Sequence, residues 1–260
     1  MVTHVYTAIA SLLVLGLYLW QDGVSDCNDG ARYTSGKPQP PPFHRRFCGW
    51  NRRVLIGVSL ASLFALGIAM GDWRRAVLLL ALPGAHFVAT HPTCTDAPCM
   101  LLAWCASLIF PTHPPVAVAL SLCAGFMHER GPVFAAVYCW HPLPLLGLLA
   151  SGWWRKPGGP DADRLVGHGT WAAIKAHKPF QDFLDPWTVV YGLRAVLPLD
   201  AYFGASPRAW AALALAFATR VIGTDSCRFL FWAAPPMIAD THDAPLWVIA
   251  AHVLTFRRAI

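Results

Sequence analysis

Apolar runs recur along nearly the whole chain, and they constrain its fold more than any other feature. The first, residues 2–20, contains one His and no Asp, Glu, Lys or Arg. Others cover residues 54–70, 76–90, 97–110, 115–127, 131–151, 187–203, 209–222, 229–239 and 245–256. Charged residues make up 13% of the 260, whereas an average soluble domain carries about 25%. A helix rising about 1.5 Å per residue needs about 20 apolar residues to cross a hydrocarbon core of about 30 Å. Read this way, the chain is an all-α polytopic transmembrane bundle, one domain over residues 1–260, with eight to ten spans. Long alternating runs, which a transmembrane β-barrel requires, are absent. Twelve Trp and 22 Pro fit the same reading, since Trp gathers at membrane interfaces and neighbouring helices repair the hydrogen bonds that Pro breaks.

The first run lacks the basic start and the small-residue cleavage site of a signal peptide, so it is expected to stay as a first span. After it, residues 21–53 form a polar loop with Asp22, Asp26, Asp29 and six Lys or Arg. Its Lys37-Pro-Gln-Pro-Pro-Pro-Phe43 stretch favours an extended path. Residues 153–185 carry five Lys or Arg interleaved with Trp171, Ile174 and Phe180, the pattern of a basic amphipathic segment on a cytoplasmic membrane face. Counting Lys and Arg by loop places the N-terminus inside by a narrow margin. Cys27 and Cys48 flank the first loop, where a bridge between them is one possible pairing. Cys105, Cys123 and Cys139 fall in apolar runs and read as small buried hydrophobes.

Ionisable residues near lipid are costly without a partner or a task. In the N-inside arrangement Asp26 and Asp29 after the first run, Asp96 before the fourth and Glu129 after the fifth share one outer face. Such carboxylates can act as a general base or hold a divalent cation. They can equally be solvated caps, and Asp96 two residues before Pro98 suits a helix start. No His or Cys spacing matches a zinc site, and neither a Walker-type loop nor a GxGxxG turn is present. Nothing points to nucleic acid.

The segments Asp29-Gly-Ala-Arg-Tyr-Thr-Ser-Gly36 and Pro40-Pro-Pro-Phe-His-Arg-Arg46 resemble the first outer loop of small actinobacterial and phage-type GT-C membrane glycosyltransferase-like proteins. Thr95-Asp-Ala-Pro98, His128-Glu-Arg-Gly-Pro-Val133, Thr224-Asp-Ser-Cys-Arg228 and Trp232-Ala-Ala-Pro235 are similar to later motifs of that group. The resemblance implies a multi-pass protein of a bacterial plasma membrane, moving a sugar from a polyprenyl-phosphate carrier to a glycan or protein acceptor at the extracytoplasmic face. It implies Asp29 as general base, with Asp26 as its neighbouring substitute, and Asp96 and Glu129 as supporting acids. Asp29 and Asp96 would then be the ligands of any Mg or Mn ion. Arg45, Arg46 and Arg228 would bind the donor phosphate, since guanidinium pairs with phosphate through two parallel hydrogen bonds. One departure is His128-Glu-Arg130, where the group usually has a basic residue before the Glu. Two other classes compete with the transferase. One is a transporter with Asp96, Glu129 and Arg194 on an ion path, and the other a non-catalytic protein that binds membrane lipid or a partner.

Overall fold

Proline, glycine and short turns decide where the apolar runs begin and end as helices. A computed structural model describes residues 2–22, 52–90, 95–154, 205–220 and 230–240, and all regular structure in them is helical. The helices are α1 (Val2–Asp22), α2 (Arg52–Ala69), α3 (Trp73–Leu80), α4 (Pro83–Thr90), α5 (Asp96–Ile109), α6 (Pro114–Met127) and α7 (Arg130–Cys139). A 3₁₀ turn (Leu143–Gly147) leads into α8 (Leu148–Trp154), and α9 (Pro207–Arg220) and α10 (Ala234–Ala239) complete the set. Proline opens α4, α6 and α9, at the position where its missing N–H costs nothing and its fixed φ already suits a helix. Between α2 and α3 the chain turns at Gly71, whose φ of +78° is cheap only for glycine.

The expected polytopic transmembrane bundle is corrected here, and the integral multi-pass membrane location with its N-inside topology falls with it. Among the described residues no helix is long and apolar enough to cross a membrane. Some apolar runs that look continuous in sequence are divided in space and others make short helices, while α1 and α2 keep runs 2–20 and 54–70 nearly whole. Run 76–90 becomes two eight-residue helices, α3 and α4, parted where the Leu82 N–H turns back to the Leu79 carbonyl at 3.3 Å. Run 131–151 breaks at Trp140, which sits in the left-handed region at φ 51°, and resumes as the 3₁₀ turn and α8. Runs 97–110 and 115–127 are the 14-residue helices α5 and α6, and 14 residues rise only about 21 Å. Run 229–239 ends in the six-residue α10. Residues 23–51, the basic segment after Trp154, and runs 187–203 and 245–256 lie outside the described residues.

α5 is the hub, packing on α2, α6 and α7, while α1 lies across α2 and α3. The core around it holds Leu63, Leu66, Leu79, Met100, Phe134 and Trp232, all fully buried. Buried hydroxyls join neighbouring backbones: Ser59 donates to the Val88 carbonyl at 3.2 Å, Ser121 to Pro144 at 2.6 Å and Ser151 to Gly125 at 3.0 Å. The last two fasten α6 to the 3₁₀ turn and α8, and the approach there is so close that only glycine fits. A Cβ on Gly147 would lie 2.5 Å from the Ser121 carbonyl oxygen, and one on Gly125 would lie 2.1 Å from that of Gly147. Since backbone must move to relieve either clash, Gly147→Ala and Gly125→Ala should each cost about 1–3 kcal/mol. Gly57 lies in α2 with nothing within 4 Å of a Cβ, so Gly57→Ala should be neutral or stabilising by up to about 1 kcal/mol. Chemical unfolding of the three variants checks this, and equal losses would contradict the packing described.

Candidate functional site

Three helix ends meet at one point: the start of α5, the end of α6 and the start of α7. Thr95 Oγ1 donates to the Met127 carbonyl at 3.3 Å. One turn further along α5, Cys99 Sγ lies 3.4 Å from the Ala124 carbonyl and 3.7 Å from that of His128. α7 closes over this sulfur only because residue 131 is glycine, since a Cβ there would stand 2.5 Å from Cys99 Sγ. Burial pushes the Cys99 thiol well above the usual thiol range; the Asp96 and Glu129 carboxylates push it further, and the Gly131 backbone and Arg130 charge pull the other way. One buried sulfur therefore feels Asp96, Glu129 and Arg130 together.

Asp96 is fully buried and its Oδ1 accepts the Trp232 indole N–H at 2.9 Å. A buried carboxylate is costly without donors, and this one gains a further favourable term from its place in the first turn of α5, next to the positive end of the helix dipole. The Trp232 carbonyl in turn accepts a short hydrogen bond from the Tyr138 hydroxyl. Trp232 also lies on Phe134, with ring centroids 5.0 Å apart, and Tyr138 meets Trp104 edge-on at 5.8 Å. The result is a chain of contacts from Asp96 through Trp232 to Tyr138, set in aromatic packing contributed by α5 and α7 and the segment before α10. Burial raises the Tyr138 hydroxyl well above the usual phenol range, with Cys99 adding to the effect.

Glu129 stands just ahead of α7 and is the more accessible acid, with its side chain 29% exposed. Its Oε2 lies 3.5 Å from His128 Nδ1. The Arg130 backbone N–H donates to that same Nδ1 at 3.1 Å, so the ring nitrogen facing Glu129 carries a lone pair and neutral His128 holds its proton on Nε2.

Of the expected site residues, Asp96 and Glu129 are brought together around Cys99. Asp26, Asp29, Arg45, Arg46 and Arg228 lie outside the described residues, as do His44, His91, Cys27, Cys48 and Cys94. Asp96 does begin a helix, directly after Thr95, whose side chain makes no capping bond, and Asp96 Oδ1 is turned to Trp232. The Asp29–Asp96 cation pairing has one member outside the described residues, and Oδ1 of the other accepts the Trp232 N–H. Among the described residues no group of three or more His, Cys, Asp or Glu is gathered as a metal site. The cysteine reading is corrected in part: Cys123 is exposed and Cys105 and Cys139 are half-buried, while the buried thiol is Cys99. Sequence alone does not single out Trp232, Tyr138 and Arg130 as partners, although Trp232 and Arg130 sit inside two of its motifs. A second polar cluster joins α9 to α10: Asp240 accepts from the Ser206 N–H at 3.1 Å and from Arg208 at 3.3 Å, and its form is that of a structural tie.

Two outcomes test this geometry. Trp232→Phe keeps the ring packing but removes the donor to Asp96, and should destabilise the fold by about 1–3 kcal/mol; an unchanged unfolding midpoint would contradict the bond. At pH 8 a maleimide probe mapped by mass spectrometry should label exposed Cys123 first among the four described thiols. Cys139, pushed up to about 11 mainly by burial, should lag, and Cys99 should label only on unfolding. Because raised thiols hold their protons more tightly in the folded state, stability should fall as pH rises past the ordinary thiol range of about 8.5.

No protein-family model, curated protein or solved structure matches the chain.

Proposed function

We propose that the chain transfers a sugar from a polyprenyl-phosphate carrier to a hydroxyl-bearing acceptor, with Glu129 as general base. The observation that supports this is the packing of the starts of α5 and α7 around Cys99, whose Sγ lies 3.7 Å from the His128 carbonyl and whose thiol feels the Asp96, Glu129 and Arg130 charges. Two of the acids implied by the motif resemblance, Asp96 and Glu129, flank that junction, and Glu129 is partly accessible. In the reaction Glu129 takes the acceptor hydroxyl proton. The freed oxygen bonds to the anomeric carbon, whose bond to phosphate breaks, and the electron pair leaves with the polyprenyl phosphate. A cation at the departing phosphate lowers the barrier; Arg130 is the guanidinium at the junction, and Arg45, Arg46 and Arg228 are those implied by resemblance. Asp96, buried and bonded to Trp232, acts as a positioning residue that holds the start of α5 against α7.

A second reading, a non-catalytic protein that binds lipid or a partner, draws on one fact: one of the two acids at the junction, Asp96, is buried and committed to an internal hydrogen bond.

Transfer of radiolabelled sugar from polyprenyl carriers separates the two. Glu129→Gln should slow transfer by about 10²–10⁴-fold, the range of a lost general base, with unfolding unchanged. If Asp29→Asn abolishes transfer and Glu129→Gln leaves it intact, the base lies in the first loop and Glu129 is not it. Absence of transfer by the unaltered chain from any polyprenyl-linked sugar would remove the enzyme reading altogether.

A further inference from the structure

Several helices of this protein turn their polar faces inward. In α1, Thr7 and Ser11 are buried, while Val5, Ile9, Leu12 and Leu13, spaced along the opposite face, are at least half exposed. A helix facing water shows the reverse pattern. α6 repeats the arrangement: Ala117, Ser121, Ala124 and Gly125 pack inward, and Val116 and Phe126 point out. The largest outward group follows α7, where Trp140 is 63% exposed and Leu143, Leu145, Leu146 and Leu149 are exposed beside it in sequence. Here the 3₁₀ turn and α8 shape an open cleft of about 410 Å³ lined by Pro142, Leu143, Leu145, Leu146, Leu148 and Leu149. No charged side chain lines it.

We propose that Trp140 and the 143–149 segment form a docking face for an anionic lipid surface, entered from one side without crossing it. Two observations choose lipid over a second copy or another protein. The chain carries a net charge of +6, and Arg155 and Lys156 directly follow α8 in sequence, which complements anionic headgroups. Interfacial docking buries an apolar face about 5–10 Å into the headgroup–acyl boundary, and an exposed Trp beside a leucine cleft suits that depth, since Trp favours this zone. The inference stands apart from the transferase reading, because it concerns binding alone.

Flotation of the full chain with phosphatidylcholine vesicles, with and without phosphatidylglycerol, tests it. Binding should strengthen with phosphatidylglycerol and persist in part in 1 M salt, where the Debye length is about 3 Å. Leu146→Glu with Leu149→Glu changes two exposed positions and should weaken binding about tenfold or more, since each loses apolar burial in the lipid. Circular dichroism checks that the double variant is folded, and Glu129→Gln should bind vesicles like the unaltered chain. Independently, brominated acyl chains should quench tryptophan emission less in Trp140→Phe. Unchanged flotation of the double variant, full release by salt, or equal quenching in Trp140→Phe would overturn the proposal. So would a lipid-free dimer that the double variant converts to monomer, because the face would then belong to a second copy.

Discussion

A hydrogen bond between Asp96 and Trp232, residues 136 positions apart, joins the start of α5 to the segment leading into α10. Almost everything described around the junction depends on it. Asp96 is buried without solvent, and an ionised carboxylate in such a place is tolerated only with donors at hand. The indole supplies one, and the Trp232 backbone then receives the Tyr138 hydroxyl from α7. One residue thereby joins three parts of the chain that are far apart in sequence, through its indole and its backbone carbonyl. Glycine at 131 lets α7 come close enough for this to happen, so the polar bond and the tight backbone approach support each other.

That arrangement divides the labour between two acids. Asp96 is locked inside and gives position, while Glu129 at the start of α7 keeps partial access to solvent and a neighbour, His128, whose Nδ1 is occupied by a backbone N–H. Any chemistry at this junction therefore falls to Glu129 more naturally than to Asp96. The same logic explains why the raised Cys99 thiol is a passive member: burial and two nearby carboxylates disfavour its thiolate, the form a nucleophile would need.

The helical character of the chain was legible in the sequence, and Asp96 and Glu129 stand out there because acids are scarce and these two flank apolar runs. The breaks were not. Nothing in the run marks Trp140 as a left-handed residue, whereas the helix end at Ala81 and Leu82 stands just before Pro83, a signal that a count of apolar residues over 76–90 does not register. A continuous apolar run does not tell which way a face turns. Leu12 and Leu13 look like core residues and are exposed, while Thr7 and Ser11 look like surface residues and are buried. The partner of Asp96 was hidden for a simpler reason: a contact across 136 positions leaves no local pattern, even though Trp232 belongs to one of the sequence motifs.

The central claim, that a buried indole-to-carboxylate bond ties the junction together, is tested most directly by the Trp232 indole proton itself. In nitrogen-15 NMR of the folded chain, with the resonance assigned by its loss in Trp232→Phe, that proton should exchange with deuterium as slowly as the most protected core amides, and Asp96→Ala should speed its exchange by orders of magnitude. Exchange at the rate of an exposed indole in the unaltered chain, or protection that survives Asp96→Ala, would contradict the account.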